Sequence, residues 1–226
     1  MSRADIFKAV TQARGKGFTA AEVPILDNAL DQLGVPRDKA ARAIRDKEAF
    51  YKGVRGVTGP LKQVQVDVIE ALLSSASHWP TSWLAYGFAT AWHEARMEPI
   101  EEWGKGSGRP YGKPGKYGQS QHGRGLVQLT WDANYEKADK ELGLGGRLLK
   151  NFNLALDPDI AVKILVRGME EGWFTAKKLA DYLPSEIGTD PQFIVSRRII
   201  NGNDKAVLIA GHARLFQDAI KAGGWA

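Results

Sequence analysis

From Trp83 to Trp92 the chain has no polar face. Trp83-Leu84-Ala85-Tyr86-Gly87-Phe88-Ala89-Thr90-Ala91-Trp92 is apolar or small at nearly every position, and His93-Glu94 follow directly. A helix that is hydrophobic all round belongs inside a domain. Thr81 or Ser82 is placed to cap its start, with Pro80 fixing the entry. Ahead of it, apolar residues recur at helical spacing. Ile6, Phe7 and Val10 share one face, Gly15-Lys16-Gly17 interrupts it, and Thr19 caps a second helix carrying Val23, Leu26, Leu30 and Leu33. A similar pattern then returns: Tyr51-Lys52-Gly53-Val54 resembles Phe7-Lys8-Ala9-Val10, and Leu61 through Leu73 resembles Phe18 through Leu30, an offset of 43. The charged stretch from Pro36-Arg37-Asp38-Lys39 to Lys47 separates the two units and is the predicted boundary.

Val64, Val68, Ile69 and Leu72 lead into the buried helix. In the C-terminal half, one helix is expected from Asp132 to Gly143. Another has Asp157 as N-cap, Pro158 at its first position, Ile160, Ile164 and Leu165 inward, and Gly172 past its end. A last helix follows Asn203-Asp204, carrying Leu208, Leu215, Phe216 and Ile220 before Gly223-Gly224. No run alternates with the period of a strand, so the predicted fold is mainly α. The domains are a helical hairpin over residues 1–47, accessory in role, and a catalytic domain over 48–226.

Composition narrows the function. With 43% hydrophobic and 25% charged residues the chain reads as globular. It has no cysteine, which excludes disulfides, thiolate metal sites and a cysteine nucleophile. Met1-Ser2-Arg3-Ala4-Asp5-Ile6 lacks the apolar core of a signal peptide, and no apolar run is long enough to span a bilayer. The net charge of +5 favours encounter with a polyanion. No nucleic-acid recognition motif accompanies that charge, so nucleic acid is not an expected partner.

The chemistry gathers between Trp83 and Tyr135. Glu94 ends a buried helix, where loss of water favours the protonated carboxyl that a general acid needs. Glu98, Glu101 and Glu102 follow closely, and paired carboxylates are the machinery of glycoside hydrolysis. From Trp103 to Arg124 there are five basic residues (Lys105, Arg109, Lys113, Lys116, Arg124), seven glycines and no acid. That composition fits either a solvated loop or a mobile lip over an anionic substrate. Met97 stands where a zinc-protease helix would need its second histidine, and His78, His93, His122 and His212 are scattered, so no metal is expected. No serine sits in a nucleophile elbow, and no glycine run has phosphate-loop spacing.

Four segments, Ala91-Trp92-His93-Glu94, Pro99-Ile100-Glu101-Glu102, Gly123-Arg124-Gly125-Leu126-Val127-Gln128-Leu129-Thr130-Trp131 and Ile200-Asn201-Gly202, occur in the order found in glycoside hydrolase family 19. The chain resembles the endolysin branch of that family from about residue 48 to its end. The resemblance implies an α-rich, lysozyme-like bilobal fold. It implies Glu94 as general acid, Glu102 (or its neighbour Glu101) as the second carboxylate, and Thr130 as the hydroxyl that helps to hold the attacking water. Gln128, Asn134 and Asn201 match sugar-contacting amides, and His93, Glu101, Arg124, Trp131 and Tyr135 complete the implied substrate wall. Gln121-His122 stands where the family commonly has an aromatic pair.

The function expected from this resemblance is a phage or prophage endolysin, a muramidase cutting the glycan strands of peptidoglycan by inversion. It would need no cofactor, act as a monomer, be made in the host cytoplasm and reach the wall in the periplasm after release. A chitinase uses the same machinery and is the nearest alternative. A non-catalytic wall-binding protein on the same scaffold is the alternative from another class.

Overall fold

Two segments at the start of the chain form a unit of their own. The computed structural model describes residues 3–35 and 41–226; the Pro36-Arg37-Asp38-Lys39 part of the expected boundary lies outside them. The first unit, within residues 1–41, contains α1 (Arg3–Arg14) and α2 (Glu22–Gln32). Thr19 and Glu22 close a reciprocal box at the start of α2: the Glu22 backbone N–H donates to Thr19 Oγ1 (3.3 Å), and the Thr19 N–H donates to Glu22 Oε2 (2.8 Å). Arg3 is buried. Its Nη1 donates to Asp27 O (2.8 Å) and Oδ1 (3.0 Å), and its Nη2 to Val35 O (2.5 Å) and to Asp31. A cation there suits the C-terminal end of α2. Phe7 and Phe18 meet edge-on with centroids 5.0 Å apart. Leu30 is buried as expected, whereas Val23 and Leu33, expected on the inward face, are exposed. A pair of helices this short has too little interior to cover a full apolar stripe.

The second unit begins at Arg42, ahead of the predicted boundary after Lys47. Residues 42–46 are tied into it through the backbone. Arg42 N–H donates to Ser77 O (2.8 Å), Ala43 N–H to Ala226 O (3.1 Å), and both Arg45 and Asp46 to Gly223 O (2.9 and 3.0 Å). Asp46 then caps α3 (Lys47–Thr58), and α4 (Gln63–Ser75) and α5 (Thr81–Ala95) follow. The helix starts of the two hairpins lie 44 residues apart (Arg3 to Lys47) and 41 apart (Glu22 to Gln63), close to the offset in the sequence pattern.

After α5 come β1 (Ile100–Glu101) and β2 (Arg124–Gly125), then α6 (Asp132–Glu141), α7 (Arg147–Lys150), α8 (Pro158–Glu171), α9 (Leu179–Tyr182), α10 (Asp190–Ser196) and α11 (Ala206–Ala222). The fold is mainly α, with these two-residue strands the only ones among the described residues. Eleven of the fifteen residues of α5 are buried. Around it lie α11 and α8; α3 and α10 pack on α11, and α4 packs on α8. Gly87 lets the Trp79 ring lie against α5, since a Cβ there would stand 2.9 Å from that ring. Gly53 does the same between α3 and α11, where a Cβ would stand 2.6 Å from Ala219 Cβ.

Several expectations hold and some are corrected. Asp157 caps α8 with Pro158 at its first position and left-handed Gly172 at its end. Ile164 and Leu165 are buried, and Ile160 only partly so. On α11 the inward face is Ile209, Ala213, Phe216 and Ile220, leaving Leu208 and Leu215 exposed. Neither Thr81 nor Ser82 caps α5. Pro80 occupies the cap position, and the donors are satisfied from across the fold: Glu186 Oε1 accepts from Thr81 N (3.0 Å) and Oγ1 (2.7 Å), and Glu186 O accepts from Ser82 N (2.9 Å). A carboxylate at a helix N-terminus meets both the free N–H groups and the dipole.

Candidate active site

Glu94 occupies the last turn of α5, on the stripe of that helix that also carries Tyr86 and Thr90 at four-residue steps. Tyr86 stacks on Phe193 of α10, with centroids 6.3 Å apart and planes 8° off parallel. Four residues beyond Phe193, in the single turn that follows α10, Arg197 reaches Glu94: its Nη1 donates to Glu94 Oε1 at 2.5 Å. Arg197 is 2% exposed and the Glu94 side chain 18%. The Arg197 Nε donates to Asp204 O (2.9 Å), which fixes the guanidinium from the far side. The apolar surroundings expected for Glu94 are therefore corrected: a buried cation is in contact with its carboxyl. The reason is tertiary, since α10 delivers the arginine through the Phe193–Tyr86 stack.

The chain leaves α5 through two consecutive left-handed residues, Arg96 (φ 52°) and Met97 (φ 56°). Left-handed backbone costs a residue with a Cβ about 1 kcal/mol or more. Two contacts hold the turn: Met97 is fully buried, and Gln65 Nε2 donates to Arg96 O (2.8 Å). His93 is half-buried, and burial pushes its pKa down; Glu94 opposes that shift and Arg197 adds to it.

Past the turn, β1 pairs antiparallel with β2, setting Ile100 opposite Gly125 and Glu101 opposite Arg124. This pairing joins the Pro99–Glu102 segment to the Gly-Arg-Gly block. The two adjacent glutamates have different surroundings. Glu101 faces two cations and an imidazole: Lys105 Nζ stands at 2.9 Å, Arg124 Nε at 3.8 Å and His122 Nε2 at 3.1 Å. The Lys105 contact holds the Glu101 carboxyl below the usual carboxylate range. Burial pushes the His122 pKa down; its Nε2 faces Glu101 and its Nδ1 faces Ser120 Oγ at 2.9 Å, while that hydroxyl donates to Gly112 O (2.9 Å). Among the described residues Glu102 accepts from neutral donors. Tyr111 OH donates to its Oε1 (2.9 Å) and the Gly123 N–H to its Oε2 (3.1 Å).

The rest of the block is laced to the same place. Gln128, left-handed at φ 53°, donates through Nε2 to Ile100 O and Gly125 O (both 3.1 Å). Thr130 Oγ1 donates to Gln128 O (2.8 Å), and Asn134 Nδ2 donates to Thr130 O (2.7 Å). Trp131 is 45% exposed and meets Tyr111 edge-on at 5.4 Å. Asn201 is exposed, in the turn four residues after Arg197.

Arg124 and Tyr135, expected in the substrate wall, make internal contacts. Both are buried. Arg124 Nη1 donates to Ser120 O (3.0 Å), His122 O (3.1 Å) and Tyr135 OH (3.1 Å), and its Nε donates to Asn153 Oδ1 (2.9 Å). Tyr135 stacks on Phe152 at 3.9 Å, and burial raises its pKa to about 12. The glycine-rich segment is also pinned: Gln119 bonds Leu149 O and Phe152 N, and Lys116 N donates to Asp132 Oδ2 (2.5 Å). Of its five basic side chains, Lys105 pairs with Glu101, Lys116 pairs with Glu136, and Arg124 is buried.

No protein-family model, curated protein or solved structure matches this chain. The site is thus described by its own geometry. Ten of the eleven expected residues lie in two groups, Glu94 with His93 at the end of α5 and the others on the β1–β2 element and its continuation; Asn201 follows Arg197. No hydrogen bond or ion pair joins Glu94 to Glu101 or Glu102 among the described residues. No group of three or more acidic or histidine residues is placed to hold a metal ion among them either. Sequence reasoning missed Arg197 and Tyr111. An arginine placed between the apolar pairs Ile194-Val195 and Ile199-Ile200 was a signal for the first; nothing in the pattern marked the second.

Proposed function

We propose that this chain is a glycoside hydrolase that cuts the glycan strands of bacterial peptidoglycan, as the endolysin branch of glycoside hydrolase family 19 does. The observation that carries this reading is the β1–β2 pairing. It brings Glu102 to the block holding Thr130, Trp131 and Asn134, eight residues after a second carboxyl at the end of a buried helix. In this reading Glu94 protonates the glycosidic oxygen as the C–O bond breaks. Arg197 occupies Glu94 Oε1 and so orients the carboxyl, with Oε2 left toward the leaving oxygen. Glu102 accepts a proton from the attacking water. Thr130 gives its own hydrogen to Gln128 O, so its oxygen is free to accept from that water. Attack from the face opposite the leaving group inverts the anomeric carbon, a geometry that requires the two carboxyls to be roughly 6.5–9.5 Å apart. The enzyme is made in the host cytoplasm and meets its substrate in the periplasm after release.

One observation favours chitin as a second reading. Lys105 and Lys116 are neutralised by Glu101 and Glu136, which leaves Arg109 and Lys113 as the segment's cations with no acidic partner among the described residues. The attraction to an anionic wall is weaker than the sequence alone suggests.

The test is mass spectrometry of fragments released from purified peptidoglycan and from colloidal chitin, by the native protein and by Glu94→Gln. Soluble muropeptides with N-acetylmuramic acid at the reducing end are expected, and at least about a hundredfold less from the variant. Faster release from chitin selects the second reading. No release from either polymer, or equal release by a folded Glu94→Gln protein, removes both.

A further inference from the structure

We infer that Trp103 is a sugar-stacking platform beside Glu102 that extends the glycan site by one ring. The inference rests on the glycan-hydrolase reading of the site and names a contact that reading does not contain. Of the seven tryptophans, Trp79, Trp173 and Trp225 are buried and Trp83 and Trp92 are partly buried in the core. The two exposed indoles are Trp131, at 45%, and Trp103, at 98%. Both belong to Glu102. Trp103 is its neighbour in the chain, and Trp131 contacts the Tyr111 ring whose hydroxyl bonds the Glu102 carboxylate. Two large aromatic faces left in water around one candidate base are not a scatter of surface residues.

The backbone under Trp103 is fixed on both sides. Glu102 N–H donates to Gly123 O (2.8 Å), Lys105 N–H donates to Glu102 O (2.9 Å), and Lys105 Nζ pairs with Glu101. Directly after the indole the chain reverses through left-handed Gly104 (φ 71°) and Lys105 (φ 48°). The ring therefore projects from a turn that is already ordered, and a ligand meeting it has little backbone ordering to supply. At the other exposed indole the left-handed residue is Trp131 itself, held at φ 74°. Strained backbone of this kind gathers at sites that use it.

The chemistry that fits such a face is a pyranose ring. One side of a β-1,4-linked amino sugar presents only C–H bonds, and an indole face is apolar and electron-rich. The contact needs no charge on the sugar, so it serves neutral N-acetylated rings and leaves anionic groups to Arg109 and Lys113.

The experiment uses calorimetric binding of N-acetylglucosamine trimer and hexamer to the full chain carrying Glu94→Gln, which blocks turnover. Trp103→Ala and Trp103→Tyr are added to it, and circular dichroism checks each fold; at 98% exposure the indole leaves no packing to lose. Trp103→Ala is expected to weaken hexamer binding about tenfold and trimer binding less, with Trp103→Tyr recovering most of the loss. Equal hexamer affinity with and without the indole overturns the inference while leaving the glycan reading intact. Absence of any oligomer binding, joined to absence of glycan cleavage by the native protein, overturns both.

Discussion

Arg197 and Glu94 stand 103 positions apart in the chain and 2.5 Å apart in the fold. The pair is almost dry on the arginine side and open to water on the carboxylate side. This asymmetry has a consequence for stability. Removing either partner strands the other, which costs about 3 kcal/mol when the remaining charge is buried. Glu94→Gln leaves the buried Arg197 charge without its counter-ion and should therefore lower stability by up to roughly that amount, measured by urea unfolding, and Arg197→Ala should lose less through charge because the Glu94 carboxylate left behind has water to fall back on. The double variant Glu94→Gln/Arg197→Ala should be more stable than the sum of the two losses by at least about 1 kcal/mol. Strict additivity would mean that the contact contributes nothing in solution.

The two adjacent glutamates should separate by activity. The Glu102 carboxylate accepts from neutral donors, Tyr111 OH and the Gly123 N–H, whereas Glu101 is occupied by Lys105 and His122. Glu102→Gln is expected to lower lytic activity at least about a hundredfold. Glu101→Gln should cost less than about tenfold and act through loss of the cluster that anchors the segment. Turbidity loss of permeabilised bacteria reads both, and the reverse order assigns the base to Glu101.

Acid should act on the start of α5 through Glu186. Burial alone would raise its pKa, but the Arg42 ion pair and the Thr81 hydroxyl and N–H hold it down at about 2, against an ordinary 4.5. A depressed carboxyl stabilises the fold above its unfolded pKa, and the contribution is lost as pH falls through the folded value. The gap in Tm between the native protein and Glu186→Gln should thus be constant above about pH 5 and close on the way down to about pH 2. A gap that persists unchanged at pH 2 would show that the amide loses packing rather than charge.

Where the second unit begins is open to a direct comparison. A chain starting at Arg42 keeps the Arg42–Glu186 pair and the backbone bonds from Ala43, Arg45 and Asp46 to the C-terminal residues. A chain starting at Lys47 loses all of these and the Asp46 cap of α3, worth about 1 kcal/mol by itself. Melting by circular dichroism should place the Lys47 start well below the Arg42 start. Equal Tm values would return the boundary to Lys47.

What the sequence determined by itself was local and periodic. The all-apolar run from Trp83 to Trp92 could only be an interior helix, because no face of it tolerates water. Asp157-Pro158 and Gly172 named both ends of α8, because caps are chemistry within one turn. Tertiary structure decided everything that required two distant segments to meet. Glu186 replaced Thr81 and Ser82 as the cap of α5, Arg197 entered the surroundings of Glu94, and Arg124 with Tyr135 turned inward to hold the block they were expected to display. Periodicity could not tell Leu208 from Ile209 on α11, since which apolar residue is covered depends on where α5 and α3 lie against that helix. Nor could it say that Trp103 is exposed and Trp79 buried, two identical side chains whose burial is set by what the rest of the fold brings beside them.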